Sequence, residues 1–389
     1  MAKLSPQLKT ELKQAVVWAS VWQFGFLLLI FGIQLFHNEP LNLNYFTKWD
    51  GGHYFSIING SYSSPLSPAA AFYPLLPLSI RSLQILTLGV VPIGFLIILF
   101  NTFCLSMAIF FFRRIARHFN KNDTNDRLAV LLWLAFPTAF FMSQFYTEPL
   151  FCALALAAYY FSLTRKWSIV GILLAFLSAT RLPALLIIGL CGLEFFHQHN
   201  WQIKKILNKN LLWFLLAPIG FLAYGFYLLQ ARGDFLGMFS AYKLTNDWTY
   251  QVFNPNFLAT LAQEAKIFLT TPLIKSLSWG DYFINHALPF LSLGLLLLAA
   301  IYFIKTHRKN GYALGIASLV SIVFYSLNSN IVSVQRYVLT NFVIFLATAD
   351  WLTKIRPRYR TTILASCLTI GFLAQIIFLW LFMNLKFVG

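Results

Sequence analysis

A few short runs in this chain combine residue types whose spacing admits chemistry, and the densest is Lys48-Trp49-Asp50-Gly51-Gly52-His53-Tyr54, with Gly60 and Tyr62 shortly beyond. The paired glycines let the backbone turn tightly beside the aspartate. His53 follows Asp50 by three, so a helix beginning there turns both side chains toward one cavity. A carboxylate against an apolar membrane surface is partly desolvated, which moves a general base toward a useful proton affinity. The competing role for Asp50 is structural, as N-cap of the helix that follows.

Tyr146-Thr147-Glu148-Pro149 sets a second carboxylate against a helix-breaking proline, a pattern that serves a capped turn as readily as a site. Phe72-Tyr73-Pro74-Leu75-Leu76-Pro77 stiffens a wall or turns the chain. Gly233-Asp234 and Gln335-Arg336-Tyr337 complete the set. A guanidinium such as Arg336 holds phosphate by paired hydrogen bonds, and its plainer use is as an interfacial anchor. Arg181 stands in Ser178-Ala179-Thr180-Arg181-Leu182-Pro183, which interrupts an apolar stretch running from Ile169 to Phe196. An arginine facing lipid at mid-bilayer costs at least ~2.5 kcal/mol, so Arg181 belongs at an outer hairpin or in a cavity. Asp50, Glu148, Asp234 and Asp247 could gather around a divalent cation, but no spacing demands one and no obligatory cofactor is expected.

The elements that must position these residues are membrane helices. Hydrophobic residues are 59% of the 389 positions and charged residues 11%, less than half the charged fraction of a soluble domain. The apolar residues come in continuous runs long enough to cross a hydrocarbon core as helices. Spans are read at 15–36, 90–112, 128–146, 150–164, 168–180, 182–197, 211–231, 287–304, 312–327, 337–352 and 361–383. The expectation is an all-α polytopic membrane protein of about eleven transmembrane helices, forming one domain over 1–389. The net charge of +17 could signal nucleic acid. Position argues otherwise: with the N-terminus inside, the inner segments hold clusters such as Arg113, Arg114 and Arg117, Lys204 and Lys205, and Lys354, Arg356, Arg358 and Arg360. That positive-inside bias accounts for the charge without a nucleic-acid partner and sets the orientation. Glu39, Asp50, Glu148, Asp234, Asp247, Glu264 and Asp281 lean to the outer side.

Two outer loops, 37–89 and 232–286, are too long to be plain turns and too apolar to be disordered. The first, with Pro65, Pro68, Pro74 and Pro77, reads as short interfacial helices with proline stops. The second interleaves Phe235, Phe239, Trp248, Phe253 and Trp279 with Lys243, Lys266 and Lys275, as suits a segment at headgroup level. Cys104, Cys152, Cys191 and Cys367 sit in apolar runs without ligand spacing and read as small packing residues. The first apolar run lacks a small-residue cleavage site, so it is expected to stay as the first span.

Taken in order, the motifs resemble the PIG-V family, the second mannosyltransferase of glycosylphosphatidylinositol assembly and its prokaryotic relatives, in the glycosyltransferase C (GT-C) superfamily. The matching residues run from Trp49 to Tyr54 with Gly60 and Tyr62, through 72–77 and 146–151, to Thr180-Arg181, Gly233-Asp234 and Gln335-Arg336-Tyr337. The likeness spans most of the chain and is most distinctive in its first block. Family members more often carry Ser or Ala where this chain has Pro149, and Tyr where it has Leu76. The resemblance implies a GT-C-like enzyme that passes a hexose, by inverting displacement, from a polyprenyl-phosphate donor to a lipid-linked or surface glycan acceptor. Asp50 matches the superfamily's proposed base in the first outer loop. Trp49, His53, Tyr54, Glu148, Arg181, Asp234, Arg336 and Tyr337 are then the expected donor and acceptor contacts, with Arg336, Arg181 or His53 on the leaving phosphate. The site would face the lumen of the endoplasmic reticulum in a eukaryote, or the outside of the plasma membrane in a prokaryote. No Gly-rich phosphate loop or nucleotide-binding αβ unit is present, which argues against a nucleotide-sugar donor. The rival reading is a transporter or flippase of lipid-linked sugars, though no internal repeat marks one.

Overall fold

The structure, a computed structural model, describes residues 5–60, 62, 68–121, 123–243, 254–270 and 278–388. Pro65, Asp247, Trp248, Phe253 and Lys275, used in the sequence reading, lie outside these residues. The described residues form helices and no strand. In chain order these are α1 (Pro6–Phe36), α2 (Asp50–Ile58), α3 (Leu75–Leu86), α4 (Ile93–Phe119), α5 (Asp123–Leu134), α6 (Glu148–Leu163), α7 (Trp167–Ser178), α8 (Ala184–Gln198) and α9 (Ile203–Ile206). There follow α10 (Ile219–Arg232), α11 (Gly237–Ser240), α12 (Phe257–Thr270), α13 (Trp279–Tyr282), α14 (Leu288–His307), α15 (Tyr312–Tyr325), α16 (Val334–Val338), α17 (Val343–Lys354) and α18 (Pro357–Met383).

Among the described residues, five helical stretches are long and apolar enough to cross a membrane: Pro6–Phe36, Ile93–Phe119, Lys209–Arg232, Trp279–Tyr325 and Pro357–Met383. Their outward faces carry Val21, Phe24 and Leu28 on α1, Leu99 and Phe103 on α4, and Ile370, Leu373 and Ile377 on α18, all exposed. Apolar side chains on the outside as well as in the core are the pattern of an all-α membrane protein.

Local sequence explains most helix ends. Ser5 accepts the Leu8 N–H at 3.3 Å to cap α1, and Pro6 occupies the first turn, where a missing N–H is harmless. Pro149, Pro289 and Pro357 do the same for α6, α14 and α18. In the first loop, Pro74 caps α3 and Pro77 is buried in its first turn, so these prolines start a helix rather than stop one. Gly233 ends α10 in the left-handed conformation at φ 73°, returning its N–H to the Leu229 carbonyl at 2.9 Å.

α4 packs between α1, α5 and α6, while α15 joins α8 to α14 and α17 lies against α5 and α14. Gly371 lets α18 close on the end of α5, because a Cβ there would stand 1.9 Å from the Ala135 carbonyl oxygen. Cys104, Cys152 and Cys191 are buried as read, but Cys367 is exposed on α18.

Three stretches read as single spans are not continuous α-helix, and two of them leave the helix altogether. The 128–146 span is α5 to Leu134, then a turn at Pro137, a 3₁₀ turn over Ala139–Ser143 and extended backbone at Gln144. The 337–352 span is α16 and α17, separated at 339–342. The 211–231 span is a 3₁₀ segment, Lys209–Leu216, followed by α10. Backbone that leaves the helix in an apolar layer frees carbonyls that need donors. Buried polar side chains supply them: Gln375 on α18 donates to Leu134 O at 2.8 Å, Gln23 on α1 to Met142 O at 2.8 Å, and Asn101 on α4 to Gln144 O at 2.7 Å. Trp133 Nε1 donates to Leu339 O and Thr138 Oγ1 to Gln335 O, each at 3.0 Å, so the two broken stretches brace one another.

The far end of α4 carries an ionic cluster. Asp126, fully buried on α5, accepts from Arg113 at 2.9 Å and from Arg117 at 2.7 Å, and Glu11 on α1 pairs with Arg117 at 2.6 Å and Arg114 at 3.0 Å. Arg113, Arg114 and Arg117 therefore clamp α1, α4 and α5 together. Removing one partner of a buried pair strands the other charge. Asp126→Ala is expected to cost about 3–5 kcal/mol, read as a lower thermal midpoint in detergent. The same change at exposed Arg127 is expected to stay within about 0.5 kcal/mol, and equal losses at both positions refute the clamp.

Candidate functional site

The N-terminus of α2 begins the site. Trp49, not Asp50, holds the cap position, with φ 54° and ψ −134°, a backbone conformation that side chains other than glycine rarely adopt. The strain is held by contacts to the end of α18: the Trp49 indole N–H donates to Phe382 O at 3.3 Å, and Lys48 Nζ donates to Met383 O. Asp50 is thus the first helical residue, and its carboxylate makes no capping bond. The two glycines serve close approach rather than a tight turn. A Cβ at Gly51 would lie 2.0 Å from Phe46 O, and one at Gly52 would lie 2.7 Å from Thr47 O.

The Asp50 carboxylate turns into a cavity where four charged groups from distant parts of the chain meet. Arg336 Nη1 donates to Asp50 Oδ2 at 3.0 Å, and Arg336 Nε stands 3.2 Å from Glu148 Oε1. Arg181 Nη1 donates to that same Glu148 oxygen at 2.8 Å. Glu148 is 1% exposed at its side chain, Arg336 10%, Arg181 11% and Asp50 30%, so the pairs grade from a sealed floor to an open rim. The surroundings of Asp50 are therefore ionic as well as apolar. Both arginines lie over aromatic faces: Arg181 is 4.9 Å from the centre of the Tyr337 ring, and Arg336 is 5.4 Å from those of Phe141 and Tyr146. The backbone N–H of Asp50 donates to the Tyr146 hydroxyl at 3.3 Å, tying α2 to the segment that enters α6.

Each charged residue arrives from an element end. Glu148 opens α6 just after the first broken stretch, Arg181 lies in the short link between α7 and α8, and Arg336 is on α16 beside the second break. The cavity is lined also by Tyr54, Phe72, Tyr73, Thr147, Thr180, Tyr242, Phe324, Tyr325, Asn328 and Tyr337, and its empty space is about 880 Å³ including the open mouth. Its lining sets a few convergent polar groups on aromatic walls, the make-up of a small-molecule site.

Of the residues singled out in sequence, Asp50, Tyr54, Glu148, Arg181, Arg336 and Tyr337 come together around this cavity. Trp49 does not line it; its indole is committed to Phe382. His53 sits one layer back, its ring stacked on Phe72 at 4.5 Å and 16°. Burial lowers the imidazole's proton affinity below the ordinary histidine value, with Asp50 partly opposing, so the charge for an anion comes from the two arginines. Asp234 is not among the residues lining the cavity: it accepts the Leu236 N–H at 2.9 Å and the Ser240 hydroxyl at 2.5 Å, closing the turn between α10 and α11. Asp234 and Gly233 together form a helix stop. Of the lining residues missed in sequence, Ala71 and Tyr242 stand alone, while Phe324, Tyr325, Leu327 and Asn328 cluster where α15 gives way to Asn328-Ser329-Asn330, a polar break after an apolar helix. No group of three or more His, Cys, Asp or Glu among the described residues is placed to hold a metal ion.

Glu148 is the structural keystone of the four charges, because both arginines pair with its Oε1. Glu148→Ala strands the nearly buried Arg181 and leaves Arg336 only the partly exposed Asp50, at an expected cost of about 3–5 kcal/mol, whereas Asp50→Asn leaves both arginines their Glu148 partner and is expected to cost roughly 1 kcal/mol. Thermal unfolding of the two purified variants in detergent checks the order, and a larger loss for Asp50→Asn contradicts it. No protein-family model matches the chain, and no curated protein matches it at a significant level.

Proposed function

We propose that the chain is an integral membrane hexosyltransferase, mannosyltransferase-like, that moves a sugar from a polyprenyl-phosphate donor to a lipid-linked or surface glycan acceptor. The observation that carries the reading is the meeting of a half-open carboxylate, Asp50, with two guanidiniums, Arg336 and Arg181, in one aromatic-walled cavity. Such a set suits an acceptor alcohol, a sugar ring and a leaving phosphate. The motif order resembling the PIG-V family favours the same chemistry.

In this reading the acceptor hydroxyl gives its proton to Asp50 as its oxygen bonds to the anomeric carbon. The bond from that carbon to the phosphate oxygen breaks, and the electron pair leaves with the polyprenyl phosphate, inverting the centre. Arg336 and Arg181 take up the charge growing on the phosphate. Glu148 orients the guanidiniums through Oε1, while its buried Oε2, without a hydrogen-bond partner among the described residues, is available to a sugar hydroxyl. Tyr54, Phe72 and Tyr337 offer faces for the ring.

A lipid-borne donor also needs a path for its tail. An apolar groove lined by Leu75, Leu78, Phe176, Ile219, Tyr224 and Tyr227 runs beside the cavity between α3, α7 and α10. The Tyr224 hydroxyl bonds the carbonyls of Ala70 at 2.7 Å and Phe72 at 3.2 Å, so groove and cavity share a wall. For the topology, we take the shorter apolar helices α6, α7 and α8, with α15, α17 and the broken stretches, as further crossings that bring the total to about eleven. The basic clusters then favour the extracytoplasmic or lumenal face for the cavity.

The test is sugar transfer by purified protein in detergent, from a polyprenyl-phosphate hexose to a panel of glycan acceptors, with product identified by mass spectrometry. Asp50→Asn is expected to lower the rate by about 10²–10⁴ while the protein stays folded, and full activity in that variant removes Asp50 as the base. Because detergent abolishes any transbilayer gradient, product formation there also separates an enzyme from a carrier. Transfer is further expected to survive exhaustive chelation of divalent cations; loss on chelation with recovery on adding a metal rejects the metal-free mechanism.

A further inference from the structure

In the proposed site, the arginine best placed to receive a phosphate is already occupied by the base. Arg336 Nη1 is bonded to Asp50 Oδ2 at 3.0 Å, and Arg336 Nε and Arg181 Nη1 both face Glu148 Oε1. Two carboxylates and two guanidiniums leave the cluster formally neutral. A phosphate entering between the arginines therefore brings a third anion to two cations, and one carboxylate must yield. Exposure decides which. Glu148 is 1% exposed and would be stranded without water, whereas Asp50 is 30% exposed and can be rehydrated at the cavity mouth.

We propose that Asp50 is an internal stand-in for the donor phosphate. Before donor binds, the Asp50–Arg336 pair keeps the carboxylate engaged, and docking of a phosphate on Arg336 releases it to accept the acceptor's proton. The inference rests on the glycosyl-transfer reading for the identity of the ligand, but the competition itself requires only an anion. It makes the base available when donor is bound, which disfavours proton removal from an acceptor that arrives alone. The strained Trp49 cap and the Tyr146 hydroxyl hold the backbone at Asp50, so release is a rotation of the side chain with α2 in place.

Binding separates this role from a purely catalytic one, because deleting a catalytic base does not by itself tighten a ligand. Inorganic phosphate and a short-chain polyprenyl monophosphate are titrated into wild type, Asp50→Asn, Asp50→Ala and Arg336→Gln in detergent. Removing the competing carboxylate is expected to tighten both ligands by roughly tenfold, the worth of one charged hydrogen bond. Two different Asp50 variants guard against misfolding of either, and Arg336→Gln is expected to lose the binding. Unchanged or weaker phosphate binding in folded Asp50 variants, or no binding of either probe to any form, overturns the proposal. If inorganic phosphate gains while polyprenyl phosphate binds nowhere and no sugar is transferred, the competition stands and the transferase reading falls.

Discussion

Peptide groups that leave a helix inside an apolar bundle have no water to turn to, and this constraint organises the molecule around its cavity. The chain breaks twice where a long apolar run gives no obvious reason to break, after Leu134 and after Val338. Each break would be costly if its carbonyls were orphaned. Gln23, Asn101 and Gln375, on three different helices, donate to the first break, and Trp133 donates to the second. These bonds act as splints. They fix the backbone just before Glu148 and just after Arg336, and so set where the ends of α6 and α16 point.

A cluster of four charges is then held at a place where charge is expensive. Taking a guanidinium and a carboxylate out of water costs several kcal/mol each, and their attraction returns that only with good geometry. Here Glu148 Oε1 takes two guanidiniums and aromatic faces take up the rest of their surface. An apolar core of the same volume would be at least as stable. The cluster is thus an arrangement that stability alone does not require, and it lies at the one junction where α2, α6, α16 and the link after α7 all end. The ionic clamp of Glu11 and Asp126 at the other end of α4 is different in kind: it lies on helices already packed together and its geometry is closed.

How much of this could be read from sequence depends on whether the cause was local. The helical class, the location of most apolar helices and the identity of six cavity residues follow from hydropathy, from proline and glycine placement, and from polar residues at the ends of apolar runs. The breaks at 135–147 and 339–342 were not legible, because Pro137 and Asn341 are their only local marks while the donors that stabilise them lie as far off as Gln375. Gly51 and Gly52 looked like turn residues, yet what excludes a side chain there is the carbonyl of a residue five positions back. Trp49 shares the motif of Asp50 but answers to the end of α18, a contact no spacing rule contains. Asp234 is the opposite case: Gly-Asp after a helix is an ordinary stop and turn, and that local pattern accounts for its place without any distant partner.

The two carboxylates look equivalent in sequence, each beside a helix start, and burial is what divides their work. Glu148 is sealed, so its charge is inseparable from the arginines it orients. Asp50 sits at the mouth, one rotation from water, so its charge can be lent and withdrawn. A proton acceptor must change state during a cycle, which a group sealed between two cations can do only at the cost of stranding them. The same exposure gradient that makes Asp50 the weaker structural partner makes it the only one of the two whose environment permits chemistry.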